Sequence, residues 1–110
     1  MSKPAQPSPR DVVRTVAPKL IELTDTVLFG DVWERPGLSK RDRSLITVAS
    51  LVALGREHQL KGHIDRALTN GVTRDEIIEL VTHLAFYSGW PTAMTGAIIA
   101  KDVFAQRDGA

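Results

Sequence analysis

Proton transfer and anion binding in this 110-residue chain fall to a short roster: three histidines, His58, His63 and His83, and one well-placed arginine, Arg43. His63 follows Gln59 by one helical turn on the same face. Its neighbours Leu60, Ile64 and Ala67 set it at the edge of an apolar stripe. An imidazole titrates near neutral pH, so His63 suits proton transfer; the competing reading is a core histidine satisfied by a backbone carbonyl. His58 lies five residues earlier, about 140° round an ideal helix. One metal ion is not expected to use both, and the i, i+4 histidine pair of a zinc helix is missing. His58 is expected to be exposed or at a subunit contact. His83 follows Glu79 by four residues, and a facing carboxylate would favour the protonated ring. That pair is either a structural ion pair or a polar pocket wall. Arg43 enters just before an apolar run, where its guanidinium can grip a carboxylate through two parallel bonds or close a salt bridge to Asp42 or Glu57. Glu57, beside Arg56 at a helix start, either orients His63 or complements the helix dipole.

The elements that carry these residues read as helices. Residues 1–9 hold three prolines and two serines and are expected to form a mobile arm. Residues 10–29 carry helical periodicity that Pro18 interrupts, so one helix should end near Val16 and another run on to Phe29. Gly30 to Leu38 reads as a connector anchored by Trp33. Ser39 with Asp42 resembles a capping box and opens a helix. Residues 45–54 are apolar almost all round, a central helix buried on every side or a strand; length and cap favour helix. Gly55 is its stop. A further helix runs from Glu57 to Asn70. Thr73 and Glu76 cap the next, which should end near Ser88-Gly89. Pro91 sits in the first turn of the last helix, which reaches Phe104 before a frayed tail, 107–110. The expectation is one all-α domain over 10–106, a bundle of about six helices.

Composition bounds the function. A 43% apolar, 25% charged chain of this length folds as a globular domain, burying roughly 65% of its unfolded surface. A net charge of +1 lacks the basic excess of a nucleic-acid binder. The helix after Gly71 (IIELVTHLAFYSG) has no Arg or Lys to read DNA. Zero cysteines exclude disulfides, thiolate metal sites and thiol peroxidase chemistry. The longest apolar run, about ten residues, is too short to span a bilayer, and MSKPAQPSPR has no apolar signal region. The expected location is the cytoplasm, with no membrane partner.

Three segments in order carry a resemblance: RPGLSKRDRSLITVASLVALGR (35–56), QLKGHIDRALTNGVTRDEI (59–77) and HLAFYSGWPTAM (83–94). The set resembles the carboxymuconolactone decarboxylase family of the alkyl hydroperoxidase D-like superfamily, in a cysteine-free form. The resemblance implies an all-α fold, assembly as a homo-oligomer (trimer or hexamer), and no metal or organic cofactor. It implies decarboxylation of 4-carboxymuconolactone to an enol-lactone in aromatic catabolism. The peroxidase branch has a Cys-x-x-Cys pair where this chain has Arg56 and Gln59, and a glutamate where it has Ser44. Members closest to the decarboxylase often carry Glu at the position of Gln59, which hydrogen-bonds but holds no proton to transfer.

Loss of carbon dioxide from such a lactone leaves charge on the ring and lactone oxygen. The enzyme must hold a dianion, stabilise that oxyanion and protonate carbon, in a pocket that excludes water. His63, which matches the family histidine, is the expected acid, and Arg43, which matches a family arginine, the carboxylate ligand. Glu57 completes the catalytic set. Ser44, Gln59, His83, Tyr87 and Trp90 are expected to line the substrate site. Phe86, Tyr87 and Trp90, near a helix break, also fit a core or subunit interface, or a lid. The rival functions are a non-catalytic oligomeric binding module and an isomerase or lactone-processing enzyme working through the same dienolate.

Overall fold

The computed structural model describes residues 8–109, and every regular element among them is helical. The helices are α1 (Pro9–Val16), α2 (Pro18–Leu23), α3 (Lys40–Leu54), α4 (Glu57–Thr69), α5 (Arg74–Leu84) and α6 (Trp90–Arg107). They fall into two compact units, one ending at Gly37 and one beginning at Leu38. Most of the expected N-terminal arm lies outside the described residues. Ser8 and Pro9 do not: they open α1.

In the first unit the Ser8 hydroxyl accepts the Asp11 N–H at 3.1 Å and the Asp11 carboxylate accepts the Ser8 N–H at 3.4 Å, a reciprocal cap. Pro18 divides α1 from α2 as its missing N–H requires. The second helix does not continue regularly to Phe29. After Leu23 the backbone widens into a π-helical turn, Thr24–Leu28. The Thr24 and Thr26 hydroxyls donate to the Leu20 and Glu22 carbonyls, both at 2.8 Å, and such back-bonding competes with the ladder. An ion pair between Arg10 and Asp25 ties α1 to this turn. Trp33, in a 3-10 turn (Val32–Glu34), is buried with its ring 5.8 Å from that of Phe29, the anchoring role expected of it.

The second unit is a four-helix arrangement. The Ser39 hydroxyl accepts the Asp42 N–H at 3.0 Å and starts α3. Gly55 ends it at φ +68°, a left-handed conformation that costs other residues strain. The Arg56 N–H then reaches back to the Leu51 carbonyl at 2.9 Å, and α4 returns antiparallel beside α3. Thr73 and Glu76 form the expected box at the start of α5. That helix stops at Leu84, four residues before the expected end. The Ser88 hydroxyl and N–H both donate to the Leu84 carbonyl, at 3.0 and 2.7 Å, and pull the chain into turns.

The last helix runs past Phe104 to Arg107, and side chains of its last turn are bonded to α4 and α5. Arg107 donates to the Asp65 carboxylate (2.8 Å), the Asp65 carbonyl (2.6 Å) and the Thr69 hydroxyl (2.6 Å). Asp108 accepts two bonds from Arg74, at 2.6 and 3.1 Å. No helix among the described residues is long and apolar enough to cross a membrane.

Val48 and Val52 of α3, Leu60, Ile64 and Ala67 of α4, Ile77 and Val81 of α5, and Ala93, Ala100 and Val103 of α6 form the core. The expectation that α3 is buried all round is corrected. Only Ser44, Val48 and Val52 are buried, while Ile46 and Leu54 stay 55% and 65% exposed. Neighbouring helices bury only a stripe of i, i+4 residues and half-cover Leu45 and Leu51 beside it. Gly96 lets α6 approach the other helices: a Cβ there would lie 3.3 Å from Val52 Cγ2 and 3.5 Å from Val81 Cγ2. Gly96→Val is therefore expected to destabilise by about 1–3 kcal/mol through overpacking. Gly96→Ala should cost less, since helix propensity returns up to about 1 kcal/mol. Urea midpoints for the two variants check the order, and equal stability of Gly96→Val and wild type would contradict this packing.

Candidate functional site

Six of the eight candidate residues divide between two places in the second unit, and Tyr87 and Trp90 stand outside both. Arg43 and Ser44 lie in the first turns of α3, and Glu57, Gln59 and His63 lie along α4, so all five belong to the α3–α4 pair. The Ser44 hydroxyl, 1% exposed, accepts a hydrogen bond from Asn70 Nδ2 at 3.0 Å. That bond levels the start of α3 with the end of α4. His63 stands seven residues before Asn70, about 10 Å back along the axis.

His63 is half-buried, and its Nδ1 and the Arg43 Nε are both shielded from solvent. Burial, and then the Arg66 guanidinium one turn further along α4, hold the His63 pKa below the usual imidazole value. The free ring is therefore mainly neutral at neutral pH. Glu57 is the exposed first residue of α4, where a carboxylate complements the positive end of the helix. Six residues separate it from His63, about 240° round the helix, so the two do not share a face. Gln59 and His58 are exposed. His58 borders a shallow cavity of about 300 Å³ between α4 and α6, with Lys61, Gly62, Asp65, Val103 and Gln106.

The second place is a groove of about 480 Å³ between α3 and α5. Leu45, Ile46 and Ala49 form one wall, and Leu80, Leu84 and His83 the other, with Glu76 and Glu79 at the rim. His83 is thus the one candidate of the eight in its lining. Its ring stacks on Tyr87 with centroids 4.7 Å apart. Glu76 is engaged in an ion pair with Arg41; the backbone bond to Thr73 and then Arg41 keep its carboxyl below the usual range. Tyr87 and Trp90, like Phe86, stand out from the surface at 77%, 58% and 74% exposure.

Sequence reasoning passed over two participants. Asn70 read only as a helix end beside Gly71, since its reach to Ser44 depends on how α4 lies against α3. Arg66 was legible, since a residue three positions after His63 faces it on any regular helix.

Known proteins resemble this sequence in part. The profile of the carboxymuconolactone decarboxylase family matches residues 18–102. The 4-carboxymuconolactone decarboxylase of Acinetobacter baylyi is 46% identical over 76 residues, which are 69% of this chain and 57% of that protein. The nitrosuccinic acid decarboxylase of Metarhizium robertsii is 38% identical over 80 residues, 73% of this chain and 56% of that protein. A 15.0 kDa protein of Paracoccus denitrificans is 29% identical over 99 residues, 88% of this chain and 71% of that one. The chain thus spans little more than half the length of the two decarboxylases it matches. The matched profile takes in Arg43, His63 and His83 together with all four helices of the second unit as far as Asp102, and on that match the chain belongs to the carboxymuconolactone decarboxylase family.

Proposed function

We propose that the chain is a carboxy-lyase acting on a carboxylated unsaturated lactone, working as a cytoplasmic homo-oligomer in the breakdown of aromatic compounds. One observation carries the reading: its two decarboxylase relatives are named for different acids, a carboxylated lactone and a nitro-acid. Both substrates offer oxygens, on a conjugated lactone or a nitro group, that take up the electron pair left by departing carbon dioxide. The common task is to hold a carboxylate, stabilise an oxyanion and return a proton to carbon.

Arg43 holds one carboxylate by charge-assisted bonds. His63, desolvated and neutral in the free protein, gains a proton when the anionic substrate arrives beside it, because a neighbouring negative charge favours the imidazolium. It then delivers that proton to the carbon that has lost carbon dioxide. Gln59 lies one turn away as an amide donor to the developing oxyanion. Glu57 supplies negative charge at the helix start, and Ser44 fixes the level at which Arg43 emerges. His83 faces the separate α3–α5 groove as a polar wall.

Incubation of the purified chain with 4-carboxymuconolactone, read by loss of ultraviolet absorbance and release of carbon dioxide, tests the reading. Turnover with loss of the mass of carbon dioxide supports it. An isomer of unchanged mass indicates lactone isomerisation instead, and binding without turnover a non-catalytic module.

A further inference from the structure

The aromatic residues left standing out of the second unit are continuous with a stripe on α6. Trp90, Met94, Ala97 and Lys101 fall within about 60° of one another on that helix, and Ile98 flanks them. Met94 and Ile98 are 57% and 62% exposed. Phe86 packs edge-on to Trp90 at 5.3 Å and extends the stripe towards α5, where Ile78 is 52% exposed. At about 200 Å² for a whole aromatic side chain, Trp90 and Phe86 at 58% and 74% exposure present roughly 260 Å², and Met94, Ile98, Ile78 and Ala97 bring the patch to roughly 600 Å² of apolar surface. The largest patch on a typical monomer is about 300–600 Å², whereas one side of a stable dimer interface covers about 800 Å². Aromatic residues and methionine are also the types enriched in interface cores.

Beside the stripe runs a second groove, of about 250 Å³, between α5 and α6. Its lining includes the small Ala97 and Ala100, with Ile78, Thr82, Lys101 and Phe104 around them. The projecting Trp90 and this recess lie on one face, some 16 Å apart along α6 by an 11-residue spacing. A half-turn about the middle of α6 exchanges them.

We propose that this face is a two-fold contact between copies of this chain, with the two α6 helices antiparallel. Trp90 of each copy fills the α5–α6 groove of the other and lies against the Lys101 ammonium, a cation–π contact. Met94 meets Ala97 of the other copy, large against small. Such a contact is isologous: the same patch serves both sides and closes on itself. The inference rests on the homo-oligomer in the preceding reading and adds its face and symmetry.

The full chain is weighed by light scattering after gel filtration. Wild type is expected as an even-numbered oligomer. Met94→Glu, which sets two charges near the axis, should halve its mass, with helical circular dichroism retained. Because the chain has no cysteine, the double variant M94C/A97C should form a disulfide-linked dimer on oxidation, and M94C alone should not. The crosslink decides the matter even where Met94→Glu fails to fold. A monomeric wild type overturns both the oligomer and this face. An oligomer that neither dissociates on Met94→Glu nor crosslinks, or one that Ile46→Glu dissociates instead, overturns the face alone. Lactone turnover is read separately and bears on neither result.

Discussion

Replacing His63 by alanine is expected to lower kcat/KM on 4-carboxymuconolactone by about 10²–10⁴-fold, the range a positioned general acid contributes. His63→Gln should lose as much, because an amide keeps hydrogen bonding but cannot transfer a proton. The pH profile separates this role from a structural one. Burial and Arg66 hold the free imidazole below its usual value. If the protonated ring is the acid, kcat/KM is level below that lowered pKa and falls about tenfold per pH unit above it. Activity should therefore rise as pH drops from 8 towards 6, with its break on the acid side of an ordinary histidine. Stability runs the other way. The folded state prefers the neutral ring, so this contribution is complete above the unfolded imidazole value, near 6.5, and is lost as pH falls from there through the lowered folded value. In His63→Gln both dependences should flatten. Wild-type rates in either variant, or a break unmoved by the substitution, would remove His63 from the chemistry.

The architecture was legible because local chemistry and global fold agree. Ser39, Gly55, Thr73 with Glu76, and Pro91 each mark a boundary that appears in the structure, and each acts through groups within four residues. Boundaries set by side chains turning on their own backbone were not: the threonines that widen the turn after Leu23, and Ser88, which stops α5 early. The contacts of the last helical turn were hidden for another reason. Arg107 and Asp108 find partners 42 and 34 residues away, at Asp65 and Arg74, and no local pattern announces them. The site shows the same division. One-turn relations such as Gln59 to His63, and Arg66 beyond it, follow from helical spacing. The pairing of Ser44 with Asn70 does not, because it depends on the register of α3 against α4. Nor could type and position alone tell that Tyr87 and Trp90 would be left in solvent while Trp33 is buried.

Two isoleucines, each with an exposed or half-buried neighbour that the chemistry invites one to study, make the contrast quantitative. Ile64, next to His63, is 0% exposed and sits among core residues of the second unit; Ile46, in one wall of the α3–α5 groove, is 55% exposed. Ile64→Ala removes buried methyl groups and leaves a cavity that close-packed helices cannot wholly collapse, so it should cost about 2–5 kcal/mol. Against a typical total of about 5–15 kcal/mol that is a large share, and the melting temperature should fall by about 10 °C or more. Ile64→Val should cost only about 0.5–1.5 kcal/mol. Ile46→Ala, which opens no cavity, should stay within about 0.5 kcal/mol where the chain is monomeric. Urea unfolding with an unchanged slope reads all three. The core also sets the chemistry: a looser α4 admits water to the imidazole, and desolvation is the chief cause of its lowered pKa. The break in the activity profile of Ile64→Ala should therefore move back towards the ordinary histidine value, while that of Ile46→Ala stays in place. An Ile64→Ala protein as stable as wild type, with its break unmoved, would show that the packing beneath His63 does not govern its proton.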